Sequence, residues 1–126
     1  MSEFKVNLTA INPLDENRRT PPVKVMVDTG ALHSWLPKQL LLDAGITVRG
    51  KKRFAMANKQ IIERDIGYAI LAAEGFETND QVVFAESGDM SLLGVTTIEG
   101  FNVMVDNVGQ RFVAIPAAPV PANVSV

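Results

Sequence analysis

The segment Val25-Met26-Val27-Asp28-Thr29-Gly30-Ala31 decides the fold of this sequence. Its apolar residues continue a run that begins at Val23, which predicts a short strand carrying the carboxylate of Asp28 to its end. Taking a carboxylate out of water is costly unless it has partners, and the hydroxyl of Thr29 is one candidate. Gly30 permits a tight turn with close approach of the backbone. Taken alone, these three residues also fit an ordinary turn that closes a strand, so the surrounding sequence has to decide.

On both sides of this segment, apolar and polar residues alternate with a period of two, which predicts a mainly β protein. Short helices are predicted over 38–44, between a proline and a glycine, and over 95–99. The predicted strands are 4–9, 23–27, 32–36, 53–56, 61–73, 76–85, 101–105 and 110–115. Short strands, many turns and one or two short helices are typical of a small barrel or sandwich.

Length and composition predict a single soluble domain. The chain has 126 residues, of which 47% are hydrophobic and 21% charged, as in ordinary globular proteins. We expect the domain to span 1–116 and to be followed by a Pro/Ala-rich tail at 117–126 that is either loose or pairs with a partner.

The composition also excludes several kinds of site. The sequence has no cysteine and one histidine, which excludes disulfides, thiolate nucleophiles and Cys-based or His-rich metal sites. No phosphate-binding loop occurs, so we expect no metal and no cofactor.

The charge pattern argues against nucleic-acid and membrane partners. The net charge is −2, and the basic cluster at 49–53 has no interleaved aromatic residues. No apolar stretch is long enough to cross a bilayer, and the N-terminus lacks the features of a signal peptide. We therefore predict a cytoplasmic protein.

Two further segments change the interpretation of Asp28-Thr29-Gly30. The first is a predicted hairpin whose turn is Ala57-Asn58-Lys59-Gln60. The second is Leu92-Leu93-Gly94, an apolar pair and a glycine that precede a short helix. Such a segment is suited to packing closely beneath another backbone turn.

In this order and spacing, the three segments resemble the retropepsin-like (retroviral-type, clan AA) aspartic proteases, and small bacterial single-domain members in particular. Residues 25–37 look like the active-site segment of that family, 54–67 like its flap hairpin and 92–106 like its closing segment. The resemblance covers most of the chain and implies a small closed acid-protease-type β-barrel.

The resemblance also implies an aspartic endopeptidase with Asp28 as the catalytic residue, in an active-site loop that continues through Thr29, Gly30 and Ala31. Aspartic proteases place two carboxylates on one water, and the pair shares a proton. This chain contains a single Asp-Thr-Gly, so a complete site requires a second subunit. A homodimer would bring Asp28 and its symmetry mate together across a two-fold axis. Alanine at 31 fits the dimeric branch of these enzymes.

Other site residues follow from the same resemblance. Met56, Ala57, Asn58 and Lys59 would form a flap over a peptide substrate in extended conformation, and Leu93 with Gly94 would support the catalytic loop. The absence of glycine from this flap departs from the retroviral pattern.

Several alternatives stay open at this point. The chain could be a catalytically silent domain that uses the fold for dimerisation or peptide binding, or one half of a heteromeric site. His33 has no nucleophile motif beside it that would make it a catalytic base. Trp35 is expected in the core, with the wall of a substrate subsite as the alternative.

Overall fold

The computed structural model describes residues 3–117 and 122. The predicted tail at 117–126 therefore lies outside the described residues except at 117 and 122, and the division into domain and tail stays a prediction. The described strands are β1 (Lys5–Ile11), β2 (Val23–Val27), β3 (Ser34–Pro37), β4 (Gly50–Ala55), β5 (Ile61–Ala73), β6 (Phe76–Ala85), β7 (Leu92–Leu93), β8 (Val103–Asp106) and β9 (Arg111–Ala114). The described helices are α1 (Lys38–Asp43) and α2 (Val95–Gly100).

Seven strands form one sheet in the order β1-β2-β7-β3-β6-β5-β4, and β1 also pairs with β5. This extra pairing closes six of the strands into a ring. β5 has 13 residues, and different parts of it pair with different strands. Its first half pairs with β4, and its second half pairs with β6 and, on the other side, with β1. The prediction of a mainly β fold that closes on itself, with one or two short helices, is confirmed.

The core lies inside this ring and follows the alternation of the strands. Phe4, just before β1, and Val6 and Leu8 within it are buried, while Lys5 and Asn7 between them are exposed, as a half-buried strand requires. The core cluster consists of Phe4, Val6, Leu8, Ala10, Val25, Leu36, Leu41, Ala44, Ile46, Ala69, Leu71, Ala73, Val82, Phe84, Leu93, Ile98, Phe101 and Val103.

The separate β8–β9 hairpin covers one end of the core. Phe112 of β9 packs its ring against Phe4 at a centroid distance of 5.4 Å and against Phe101 at 6.0 Å. Ring pairs at these separations contribute both buried area and favourable edge contacts. The hairpin is thereby joined to the ring through aromatic packing.

Helix α1 begins after Pro37 and ends one residue earlier than predicted. Pro37 carries no N–H, which costs nothing at a helix start. Gly45 follows the helix with a φ of +76°, the left-handed conformation in which helices commonly stop.

Three strands begin two or three residues away from their predicted starts. β3 begins at Ser34, because the carbonyls of Ala31 and Leu32 accept hydrogen bonds from the start of α2. β8 begins at Val103, because a turn with Asn102 at φ +59° follows α2. β4 begins at Gly50 rather than at residue 53, so Lys51, Lys52 and Arg53 of the basic cluster lie within the strand.

Within residues 3–117 and at 122, the helices are too short to cross a membrane.

Candidate active site

Asp28 lies immediately after β2 in a tight turn. Its backbone N–H donates to the carbonyl of Leu93 at 2.9 Å, and its own carbonyl accepts from the N–H of Ala31 at 3.1 Å. Its Oδ1 accepts from the N–H of Gly30 at 2.9 Å. A Cβ on Gly30 would lie 3.2 Å from that oxygen, so glycine leaves the carboxylate room.

The turn exposes the Asp-Thr-Gly residues on one surface of the single chain. Asp28 is half-buried, while Thr29 and Gly30 are exposed. Among the described residues, Oδ2 of Asp28 and the hydroxyl of Thr29 have no hydrogen-bond partner. The turn is an ordinary one in which the Asp28 side chain accepts a hydrogen bond from a backbone N–H two residues on. Its second carboxylate oxygen is still available to a ligand or a second chain.

The segment Leu93-Gly94 packs beneath this turn. Strand β7 lies between β2 and β3, parallel to the first and antiparallel to the second. After it, the N–H of Val95 donates to the carbonyl of Ala31 at 2.8 Å. A Cβ on Gly94 would lie 2.4 Å from the carbonyl carbon and oxygen of His33. Only glycine fits at this crossing without a shift of the backbone.

A buried polar network holds the crossing in place. The hydroxyl of Ser34 accepts from the N–H of Gly94 at 3.0 Å and lies 2.6 Å from the hydroxyl of Thr97. Thr97 donates to Oδ2 of Asp80 at 2.8 Å, and Thr96 donates to the same oxygen at 2.9 Å. Ser34 and Thr97 are fully buried, so these bonds satisfy groups that would otherwise be costly to bury.

The β4–β5 hairpin ends in a turn closed without glycine. The N–H of Met56 donates to the carbonyl of Gln60 at 2.8 Å, and the N–H of Lys59 donates to the carbonyl of Met56 at 2.9 Å. Lys59 itself has a φ of +70°, in the region that glycine usually occupies. Asn58 stabilises the turn by accepting from the N–H of Gln60 at 2.9 Å.

A cleft of about 500 Å³ separates the hairpin from the Asp28 turn. Gly30 and Ala31 line one side, and Phe54 and Met56 of the hairpin line the other. Of the four predicted flap residues, Met56 faces this cleft; Ala57, Asn58 and Lys59 are exposed at the tip.

Trp35 contributes to the wall of this cleft. It is half-buried and packs on Phe54 with a centroid distance of 4.9 Å. The expectation that Trp35 belongs to the core was therefore wrong, and the alternative, a place in a subsite wall, fits its position. The tilted ring pair joins the hairpin to β3.

Two basic side chains meet inside the cleft. The Nζ of Lys52 lies 3.1 Å from Nε2 of His33. Burial and the charge of Lys52 lower the pKa of His33, while Asp80 raises it in part. Since an ammonium only donates, Nε2 is the acceptor and the ring is neutral with its proton on Nδ1. That Nδ1 is buried and has no partner among the described residues.

The positions of Asp80 and Lys52 were not predicted from the sequence, although the alternation of their strands could have indicated them. Asp80 shares an inward-facing register with Val82 and Phe84 on β6. Lys52 shares a face of β4 with Phe54. In a strand, the parity of a residue decides which face its side chain takes, even when the side chain is charged.

No group of three or more His, Cys, Asp or Glu side chains in the described part of the chain is arranged to hold a metal ion. Comparison with protein families matches residues 17–99 to the model of the family described as "gag-polyprotein putative aspartyl protease". The match runs from before β2 to Glu99, one residue before the end of α2, and covers more than half of the chain. No curated protein matches the sequence.

Proposed function

Since the chain belongs to this retropepsin-like aspartyl protease family, we propose that it is an endopeptidase whose active site forms when a homodimer brings two copies of Asp28 together. The observation that carries the proposal is the Asp28 turn. Its backbone is held by Leu93 from below, while one carboxylate oxygen stays free at the surface. A rigid backbone with an accessible carboxylate is what a catalytic acid needs.

The dimer is required by the chemistry. One carboxylate cannot both accept a proton from water and donate one to the peptide carbonyl in the same step. Two carboxylates close together cannot both stay ionised, so they share a proton. The ionised Asp28 then takes a proton from the attacking water, and the protonated one polarises the scissile carbonyl.

The exposed position of Thr29 and Gly30 supports a contact around a two-fold axis. In that arrangement the free hydroxyl of Thr29 would hydrogen-bond across the axis and hold the two turns together. Burial between the subunits would then replace the solvent that surrounds the carboxylate in the single chain.

The substrate would be a peptide in extended conformation, lying in the cleft between the Asp28 turn and the hairpin. An extended peptide adds main-chain hydrogen bonds to a strand-like wall. Closure of the hairpin tip, Met56 to Lys59, would exclude water from the reaction.

The test compares Asp28→Asn with Asp15→Asn. Asp15 also accepts a backbone N–H two residues on, from Asn17 at 3.2 Å, but it lies in an exposed loop away from the cleft. Cleavage of unfolded protein substrates is followed by mass spectrometry of the new termini, and the oligomeric state by sedimentation.

We expect Asp28→Asn to abolish cleavage without changing sedimentation, and Asp15→Asn to behave as wild type. Full turnover by Asp28→Asn, or turnover by a protein that sediments as a monomer at the assay concentration, would refute the proposal. A wild-type dimer that binds peptides and cleaves none would instead favour the silent domain.

A further inference from the structure

We propose that the cleft selects peptide segments that carry a carboxylate side chain, and that Lys52, oriented by His33, recognises that carboxylate. The inference rests on the proposed function, because it assigns a substrate class to the same cleft. It starts from an ammonium group that forms no ion pair with any of the described residues.

Lys52 differs in this respect from Lys51 and Arg64. Arg49 and Arg53 likewise have no ion pair among the described residues, but both are exposed, whereas Lys52 is half-buried. Lys51 pairs with Asp65 at 2.9 Å, and Arg64 pairs with Asp89 at 2.7 Å. Within residues 3–117 and at 122, no carboxylate oxygen lies within 4.0 Å of the Lys52 ammonium. Lys52 is also half-buried and lines the cleft, whereas Lys51 is exposed.

His33 orients the ammonium and leaves its charge intact. The neutral ring accepts one N–H of Lys52 through Nε2 at 3.1 Å, which leaves two N–H groups for a ligand. Asp80, the carboxylate that acts on His33, is engaged by Thr96 and Thr97 through Oδ2.

The acid that also lines the cleft does not cancel this charge. Asp89 accepts two hydrogen bonds from Arg64, at 2.7 and 2.9 Å, so its charge is matched there. Aromatic walls formed by Trp35 and Phe54 lower the local dielectric, which strengthens a charge-assisted hydrogen bond. A substrate carboxylate would therefore gain an ion pair in the cleft, and a substrate lysine would be repelled.

The experiment uses a peptide that the wild-type protein cleaves or, if it cleaves none, a peptide that it binds. Each position flanking the scissile bond is replaced in turn by Glu, Gln or Lys, and kcat/KM is measured for every peptide. We expect one position at which Glu exceeds Gln by about tenfold, the range of a hydrogen bond to a charged group, with Lys below both.

The variants assign this preference to Lys52. Lys52→Gln is expected to remove the preference, and Lys52→Glu to invert it towards Lys. Lys51→Gln, on the outer face of the same strand, is expected to leave it unchanged. His33→Gln keeps an acceptor and should retain the preference, while His33→Leu should weaken it.

Binding of the same peptides to the Asp28→Asn protein, measured by fluorescence polarisation, separates selectivity from catalysis. The inference is overturned if wild type cleaves the Glu and Gln peptides with equal kcat/KM at every position, or if Lys52→Gln keeps the full preference for Glu. Either result leaves the proposed function standing. A Glu preference in binding without any cleavage by wild type overturns the proposed function and supports the inference. Equal binding with no cleavage overturns both.

Discussion

Replacing Gly94 with alanine tests how tightly the supporting segment packs beneath the Asp28 turn. The added methyl group would lie 2.4 Å from the carbonyl carbon and oxygen of His33 and 2.9 Å from its Cα. These are backbone atoms at the entry to β3, so they cannot move aside as a side chain does. Gly94 has a φ of −92°, which alanine adopts freely, so the substitution changes packing without adding backbone strain.

The magnitude follows from the overlap. Ordinary contact between such atoms begins at about 3.4 Å, so the methyl group intrudes by about 1 Å, and overpacking of this kind costs about 1–3 kcal/mol or more. Because the neighbours are fixed, we expect about 3 kcal/mol. For a chain of 126 residues, 1 kcal/mol corresponds to about 4 °C in Tm, so the melting temperature should fall by about 12 °C.

Thermal unfolding followed by circular dichroism, with urea unfolding beside it, measures the effect. Gly50→Ala is the matched control, since Gly50 lies on outer strand β4 and its added Cβ would meet only Ile66 at 4.0 Å. That variant is expected to stay within about 0.5 kcal/mol of wild type. A Gly94→Ala protein that melts within about 2 °C of wild type would refute the packing argument.

If each active site needs two Asp28 residues, mixed dimers of wild-type and Asp28→Asn chains should be inactive. A ninefold excess of Asp28→Asn chains, allowed to exchange subunits with a fixed amount of wild type, should therefore lower the activity by about tenfold. Unchanged activity after full subunit exchange would contradict this. Arg64 lowers the pKa of the Asp89 carboxyl through a side-chain hydrogen bond. Ionised Asp89 therefore adds to the free energy of unfolding at pH values above the pKa that it has in the unfolded chain. This stabilisation is lost as the pH falls through the lower pKa of the folded state. Asp89→Asn should therefore cost about 1 kcal/mol at pH 7, after allowance for solvent screening of a partly exposed pair, and the gap from wild type should close below a pH of about 4. Urea unfolding at several pH values measures it, and a gap independent of pH would exclude the ion pair as the cause.

The sequence was sufficient where the signal is local. The alternation of Phe4, Val6 and Leu8 predicted β1, and Pro37 and Gly45 marked the limits of α1 within one residue. In these elements each residue's burial or backbone angle depends on its immediate neighbours, so periodicity and turn chemistry predict them directly.

Contacts between distant segments could not be obtained in this way. Nothing local in Leu92 or Leu93 shows that this pair enters the sheet between β2 and β3, and the closing contact between β1 and β5 is equally remote. The same holds for the meeting of His33 with Lys52. For the Asp28 turn, the resemblance to a known family supplied the long-range arrangement that periodicity lacks, and the catalytic roles of its residues stay predictions.

The network beneath the Asp28 turn joins segments that are far apart in the sequence. Ser34 and Thr97 share a hydrogen bond across 63 positions, so the crossing gains this contact only after residue 97 has been synthesised. Contacts that close such long loops form late and slowly. A ribosome-bound chain that ends before α2 would therefore contain Leu93 beneath the Asp28 turn but lack the hydrogen bonds that Val95 and Thr97 contribute to the crossing.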